Sequence, residues 1–361
     1  MPGTEDKVVV ALVRDASPQD VEKIKAVAPE RLEVVPLWRS LRADTARFFP
    51  ETHIKRFERP DVWMPDLPKE EVDRVLGAAQ AAFCGAVHPS DLLSRMPHIR
   101  WAHFSMAGLS SIQHSEFWES RVDVTTSRGY TGARSIAEMA VFGGMMIAKS
   151  FQIAVRQTDA GKHDGKAFGP AKLAQGKTMG VVGLGGIGGN VAKLASGIGM
   201  RVVGSRRSTE KRGPDSAGVV DEVFPAADLK EMLGECDFVA LCTPATPETV
   251  GMFTAEVFSA IKPGAIFINV ARGEIVDEDA LVAALASGHL AGAYLDVFQG
   301  SEEGEEPPAA LMALPNVVIT PHIAVRADIP QAFSLDLFCD NLRKLLDGEQ
   351  IENVVDWARG Y

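Results

Sequence analysis

Residues 178–208 read TMGVVGLGGIGGNVAKLASGIGMRVVGSRRS, and the reading of the fold starts there. An apolar run ends at Gly183, and Gly183-Leu184-Gly185-Gly186-Ile187-Gly188 then fits the spacing G-x-G-x-x-G. Val191, Leu194 and Ile198 recur behind it at helical spacing, and a second apolar run begins at Arg201. This order of strand, glycine turn, helix and strand gives the motif its meaning, because the chain holds 33 glycines and a lone match says little. Glycines let the backbone turn tightly and approach a pyrophosphate, and the start of a helix offers N–H groups to the anion. Gly183, Gly185, Gly186, Ile187 and Gly188 are therefore the expected cradle of a dinucleotide.

The second run ends Gly204-Ser205-Arg206-Arg207-Ser208. A site for NAD usually places an acid there for the ribose 2′-hydroxyl, and none is present. Two guanidiniums and two hydroxyls suit a 2′-phosphate instead, which arginine grips with two hydrogen bonds. Ser205, Arg206 and Arg207 thus predict NADP(H) as the preferred cofactor, with NAD(H) possible.

Beyond this stretch, strand-like runs alternate with helix-length segments. FVALCTP, AIFINVA, AGAYLDVF and NVVITPH follow, which with the first two make six strands. Upstream, a separate series comprises VVVALV (8–13), LEVVPL (32–37), AAFCGAV (81–87), IRWAHF (99–104) and VDVTT (122–126). Such βα alternation implies mostly parallel sheets with helices on both faces. Residues 133–151 read as one long helix, whose run MAVFGGMMIA (139–148) is too short to span a membrane and is expected to be buried. A closing helix is expected at 333–346, and residues 38–66 lack periodicity and read as an irregular excursion.

The length of 361 residues suits two domains, and a charged fraction of 24% marks an ordinary globular chain. The net charge of −11 argues against a nucleic-acid or anionic-membrane binder, which needs a basic face. Cys84, Cys236, Cys242 and Cys339 are far apart with no C-x-x-C pair, so they read as reduced thiols of a cytoplasmic protein and not as a metal site. The N-terminal VVVALV, soon broken by Arg14 and Asp15, reads as a first strand and not as a signal peptide.

Three further segments carry chemistry: Asn269-Val270-Ala271-Arg272-Gly273, Tyr294-Leu295-Asp296-Val297-Phe298, and Pro315 to His322 (PNVVITPH). Each closes a strand, and ligands of open α/β sheets bind at the carboxyl ends of strands. His322 can donate a proton near neutral pH, and Arg272 can hold a carboxylate and polarise a carbonyl. Together with the glycine turn, these motifs resemble the D-isomer-specific 2-hydroxyacid dehydrogenase family, which includes glyoxylate/hydroxypyruvate reductases and phosphoglycerate dehydrogenases. The resemblance is dense from Gly176 to Ala324 and visible in Ser105-Met106-Ala107-Gly108-Leu109, Ile136-Ala137-Glu138 and Asn353-Val354-Val355-Asp356.

The resemblance implies two doubly wound parallel-sheet domains. Residues 1–127 and 325–361 would form a discontinuous, flavodoxin-like substrate domain, and 128–324 a Rossmann cofactor domain inserted into it. The cleft between them would close on substrate and exclude water. The resemblance assigns Arg272 to the substrate and His322 to the proton, and it has Asp296 contact the nicotinamide amide. Cys242, Thr243, Pro244, Val270 and Ala271 would line the cofactor, and the N–H groups of Ala107 and Gly108 would help bind the substrate carboxylate. The helix at 133–151 resembles a dimerisation arm, so a homodimer is expected.

The family normally places a Glu before a Pro to keep the His protonated. Here the segment carries four glutamates, in Gln299-Gly300-Ser301-Glu302-Glu303-Gly304-Glu305-Glu306-Pro307. The rule of Glu before Pro selects Glu306, whereas counting from the strand falls on Ser301, beside Glu302 and Glu303. Glu306 is preferred because Pro307 stiffens its backbone. The expected activity is hydride transfer between NADP(H) and a small 2-keto or 2-hydroxy acid, such as glyoxylate or hydroxypyruvate, with a D-hydroxy product. A formate-type dehydrogenase is the second reading, kept by Gln299 and opposed by Ala107-Gly108, which lacks the Asn of that chemistry. A dinucleotide-sensing corepressor is a third, and no nucleic-acid or adaptor motif favours it.

Overall fold

The computed structural model describes residues 7–58, 64–109, 112–130, 132–215, 218–301, 305–328 and 332–358. The chain divides into two compact units, Met1–Thr131 with Ile329–Tyr361, and Gly132–Asp328.

The first unit runs β1 (Val8–Val13), α1 (Pro18–Lys25), β2 (Leu32–Pro36), α2 (Arg42–Thr45), α3 (Glu51–Phe57), α4 (Lys69–Ala78), β3 (Ala79–Cys84), β4 (Trp101–Phe104) and β5 (Asp123–Thr126). The helix Ala332–Asp347 returns to it. All strands are parallel, in the order β2-β1-β3-β4-β5. That is the flavodoxin-like winding. Continuous apolar strands are needed because helices cover both faces, and Val10 to Val13 are fully buried. Phe338 of the returning helix stacks on Phe83 at 4.4 Å and on Trp101 at 4.8 Å between ring centroids. A cluster of polar groups inside this core is paired. Thr125 Oγ1 lies 2.8 Å from both Trp101 Nε1 and His103 Nδ1, and His103 Nε2 lies 2.9 Å from Ser127 Oγ. Burial, aided by the charge of Arg14, pushes the His103 pKa down to about 3, so the ring is neutral. Residues 38–66 are less irregular than expected: they contain α2 and α3, and Trp38, Ile54 and Met64 form a small separate core with Val87.

The second unit opens with α5 (Ala133–Ala148) and α6 (Phe151–Asp159). It continues with β6 (Thr178–Val182), α7 (Gly186–Gly197), β7 (Arg201–Arg206), β8 (Glu222–Pro225), α8 (Leu229–Glu235), β9 (Phe238–Leu241) and α9 (Ala255–Ala260). β10 (Ala265–Asn269), α10 (Glu278–Ala286), β11 (Leu290–Leu295), α11 (Ala309–Met312) and β12 (Val317–Ile319) complete it. The parallel sheet has seven strands in the order β12-β11-β10-β9-β6-β7-β8. β6 to β11 follow the dinucleotide-binding winding, and β12 extends it.

Four expectations need correction here. The sheet has β8, a four-residue edge strand that composition hides because only its inner residues are apolar. The helix expected over 133–151 breaks at Lys149-Ser150, where Ser150 takes φ 54°, and the axis bends by 76° into α6. The run 139–148 is buried on one face only. Gly143 and Gly144 press on the sheet, where a Cβ at Gly143 would come within 2.2 Å of the Tyr294 ring, while Phe142 is 53% exposed. On α7, Val191 is buried as expected, but Leu194 and Ile198 point outward and the inner face is Gly188, Val191, Ala192 and Ala195. Among the described residues no single helix is long and apolar enough to cross a membrane.

Candidate active site

At the end of β6 two glycines allow close approaches, and a third opens the next helix. Gly183 has φ 97°, and a Cβ there would meet Thr243 Cγ2 at 2.7 Å. Gly188 lets α7 lie against the turn, since a Cβ would stand 2.0 Å from the Gly183 carbonyl oxygen. Gly185 has open space where its Cβ would be. It starts α7 without a side-chain cap, and the first intrahelical bond there runs from Gly189 N to Gly185 O at 2.8 Å. The N–H groups of Gly186, Ile187 and Gly188 thus precede the helical ladder and face an uncovered end. This cradle fits a pyrophosphate. Thr243 Oγ1 is buried beside it with no hydrogen-bond partner among the described residues, a donor in want of an acceptor. Cys242, whose N–H donates to Val182 O at 2.8 Å, is buried, and burial pushes its thiol up to about 12, so it lines the site as an apolar group.

The end of β7 offers cations. Ser205 is buried, while Arg207 is exposed. Arg206 Nη1 stands 3.9 Å from the Asp215 carboxylate. Asp215 is itself turned inward, accepting from Val219 N at 2.7 Å and Val220 N at 3.2 Å.

β10, β11 and β12 are neighbours in the sheet, so their carboxyl ends bring three residues to one edge. Arg272 stands three residues beyond β10. The buried Asn269 shapes that turn: its Oδ1 accepts from Ala271 N at 3.0 Å and its Nδ2 donates to Arg272 O at 3.1 Å. Arg272 Nη1 donates to Ala271 O at 2.8 Å. Gly273 allows the backbone to press on Phe298, whose carbonyl carbon would lie 2.0 Å from a Cβ. Asp296, one residue beyond β11, is 3% exposed. Its Oδ1 accepts from Thr320 Oγ1 at 2.6 Å and Ile323 N at 3.0 Å, and its Oδ2 accepts from Ala324 N at 3.0 Å. His322, three residues beyond β12, has φ 51°, a conformation rare outside glycine. Its N–H is directed to Thr320 O at 2.9 Å and Asp296 O at 3.1 Å.

The acid expected to partner His322 is Glu306. Glu306 is exposed and makes no hydrogen bond or ion pair among the described residues. Ser301 N donates back to Phe298 O at 3.1 Å, and Glu305 N donates to Gly300 O at 3.0 Å. Glu302 and Glu303 lie outside the described residues. Gln299 Nε2 donates to Val276 O at 2.9 Å, which occupies its amide. Ala107 and Gly108 follow β4 in a partly exposed bend of the first unit. Asn269, Tyr294 and Thr320 were passed over as site residues, although each lies inside a quoted motif.

Residues 143–324 match the family model described as the D-isomer specific 2-hydroxyacid dehydrogenase, NAD binding domain. The chain belongs to this family. A glyoxylate reductase of Korarchaeum cryptofilum is 30% identical to it over 326 residues, 87% of this chain and 96% of that protein. A D-3-phosphoglycerate dehydrogenase of Methanocaldococcus jannaschii is 37% identical over 228 residues, 62% of this chain and 41% of that one. The chain spans about half the length or less of the first curated relatives it matches. A family member from Xanthobacter autotrophicus Py2, solved in complex with NADPH and MES, matches with a TM-score of 0.73 and 25% identity, over 98% of this chain and 100% of that one.

Proposed function

We propose that this protein reduces small 2-keto acids to D-2-hydroxy acids with NADP(H), glyoxylate and hydroxypyruvate being the leading substrates. The observation that carries the reading is the placement of Arg272, Asp296 and His322 at the carboxyl ends of three adjacent strands, in the same sheet as the glycine cradle. The bound cofactor supplies the hydride. Gly183 to Gly188 and Thr243 hold its phosphates, Ser205, Arg206 and Arg207 take the 2′-phosphate, and Cys242, Pro244, Val270 and Ala271 line its path. Asp296 keeps one acceptor direction on Oδ2 for the nicotinamide amide, since its other three are committed. Arg272 binds the substrate carboxylate through charge-assisted hydrogen bonds and draws electron density from the keto oxygen. His322, protonated, gives its proton to that oxygen as the carbonyl carbon gains the hydride.

The partner that keeps His322 protonated comes from the glutamates of 302–306, with Glu306 the choice by the rule of Glu before Pro. Glutamine substitution of each decides it: the true partner's loss moves the acidic side of the reductive pH profile downward. Four exposed apolar side chains on α5, α6 and the loop after α6 support a homodimer through this segment: Phe142 (53%), Phe151 (54%), Val155 (45%) and Leu173 (61%). The test of the activity is NADPH oxidation with glyoxylate, hydroxypyruvate and phenylpyruvate, run beside NADP reduction with formate. Turnover of a keto acid is expected, and turnover of formate alone overturns the reading. Cofactor binding with no turnover of any substrate favours a sensor.

A further inference from the structure

Asp296 gathers four of the hydrogen bonds that hold the turn carrying His322, beside Thr320 N to Leu295 O at 2.9 Å and Ser135 Oγ to Ala324 O at 2.8 Å. Asp296 accepts the His322 N–H at its carbonyl and three further donors at its carboxylate. Those donors are Thr320 Oγ1, Ile323 N and Ala324 N, on both sides of the histidine. Such an arrangement is needed because His322 at φ 51° is strained by roughly 1–3 kcal/mol and persists only where its surroundings over-determine it. The order of donors in this cluster follows from its chemistry. An ionised carboxylate only accepts, so Thr320 must donate to Asp296 Oδ1. The Tyr294 hydroxyl, 2.8 Å from Thr320 Oγ1, must then donate to Thr320. Burial pushes the Tyr294 pKa up to about 12, so this donor is present across the neutral range.

We infer that Thr320 and Tyr294 are positioning residues: the hydroxyl chain Tyr294 to Thr320 to Asp296 fixes the turn that aims His322. The inference rests on the proposed role of His322 as proton donor. Thr320 has two jobs that a valine of the same shape cannot do. It fills one lone pair of Oδ1, and it ties the residue two before His322 to the same carboxylate that ties the two residues after it. Without its hydroxyl, Oδ1 keeps only Ile323, the carboxylate no longer ties the residues before His322, and the Tyr294 hydroxyl loses its acceptor. Tyr294 is the outer support, because its loss leaves Thr320 still able to donate.

The test combines steady-state kinetics with amide exchange. Thr320→Val should lower kcat for the keto acid by about 10–100-fold, the size of a misaimed catalytic group. Its NADPH dissociation constant, read by fluorescence quenching, should change by less than about threefold, and Thr320→Ser should restore most of kcat. Tyr294→Phe keeps the ring against Gly143 and should lose less, about 2–10-fold; it also serves if Thr320→Val does not fold. The decisive arm is the His322→Ala background, where neither substitution should lower the residual rate further, because each acts through the imidazole. A residue that merely stabilised the fold would still reduce that rate, and a multiplicative loss there overturns the inference. Amide exchange at Ile323 and Ala324 should quicken in Thr320→Val and stay slow in Thr320→Ser; unchanged exchange in Thr320→Val also overturns it. If the unmodified protein turns over no keto acid, the proposed function fails, and the exchange arm still decides by itself whether the hydroxyl chain holds the turn.

Discussion

Replacing Asn269 by Ala tests how the chain holds its substrate-binding cation. Asn269 is 1% exposed, and its amide closes the turn from both sides, to Ala271 N at 3.0 Å and to Arg272 O at 3.1 Å. The Ala271 N–H is buried, so its lost partner costs about 1–3 kcal/mol, and the weaker bond to the Arg272 carbonyl adds about 1 kcal/mol. The sum is about 2–4 kcal/mol. For a unit of this size, at ~3 °C per kcal/mol, that lowers Tm by about 6–12 °C. The released Arg272 carbonyl lets the guanidinium wander, and a misplacement of about 1 Å costs on the order of 100-fold. The keto acid KM should therefore rise by ~10–100-fold while the NADPH KM stays within a few-fold. Thermal denaturation followed by circular dichroism reads the first effect, and initial rates at varied keto acid read the second. A variant that melts within about 1 °C of the parent with an unchanged substrate KM refutes the reasoning.

Replacing Arg206 and Arg207 together by Ala should raise the NADPH KM far more than the NADH KM; equal or better use of NADH by the unmodified protein contradicts the assignment. Two buried histidines make the first unit acid-sensitive: burial pushes the His103 pKa down to about 3 and that of His88 to about 4, from 6.5. The unfolded chain binds the protons that the folded one refuses, so stability is full above pH 6.5 and falls as the pH drops, by up to about 1.4 kcal/mol per pH unit for each ring. Urea melts between pH 6.5 and 5 should show this loss, and His88→Phe should roughly halve its slope; a flat profile there counts against neutral buried rings. Light scattering at micromolar concentration should give the mass of a dimer, and a monomer mass excludes the proposed role of α5 and α6.

Much of this was legible in the sequence because local patterns and site chemistry coincide in a parallel sheet. The glycine turn, the strand ends and the cations at Arg206 and Arg272 each follow from short motifs. What escaped was set by contacts between distant segments. Gly143 sits in a helical run that looks wholly apolar, and only the Tyr294 ring explains why it has no side chain. β8 is four residues long and is recognised by its pairing with β7, not by its composition. The break at Ser150 carries no proline or glycine to announce it. Asp296 was read for its cofactor contact, while its hold on residues 320–324 depends on neighbouring strands whose pairing the sequence does not state. The acidic loop after Phe298 has no periodicity, so neither counting rule could place its glutamates.

The central claim is that Arg272 and His322 together reduce a 2-keto acid. Its most direct test is the rate of NADPH oxidation with the best keto acid in the unmodified protein, Arg272→Ala and His322→Ala, with cofactor binding measured alongside. The account predicts that both variants still bind NADPH. It predicts that His322→Ala loses about 10²–10⁴-fold in kcat, as expected for a missing general acid, and that Arg272→Ala loses both substrate affinity and turnover. Near-normal turnover in either variant, with NADPH bound, would contradict it.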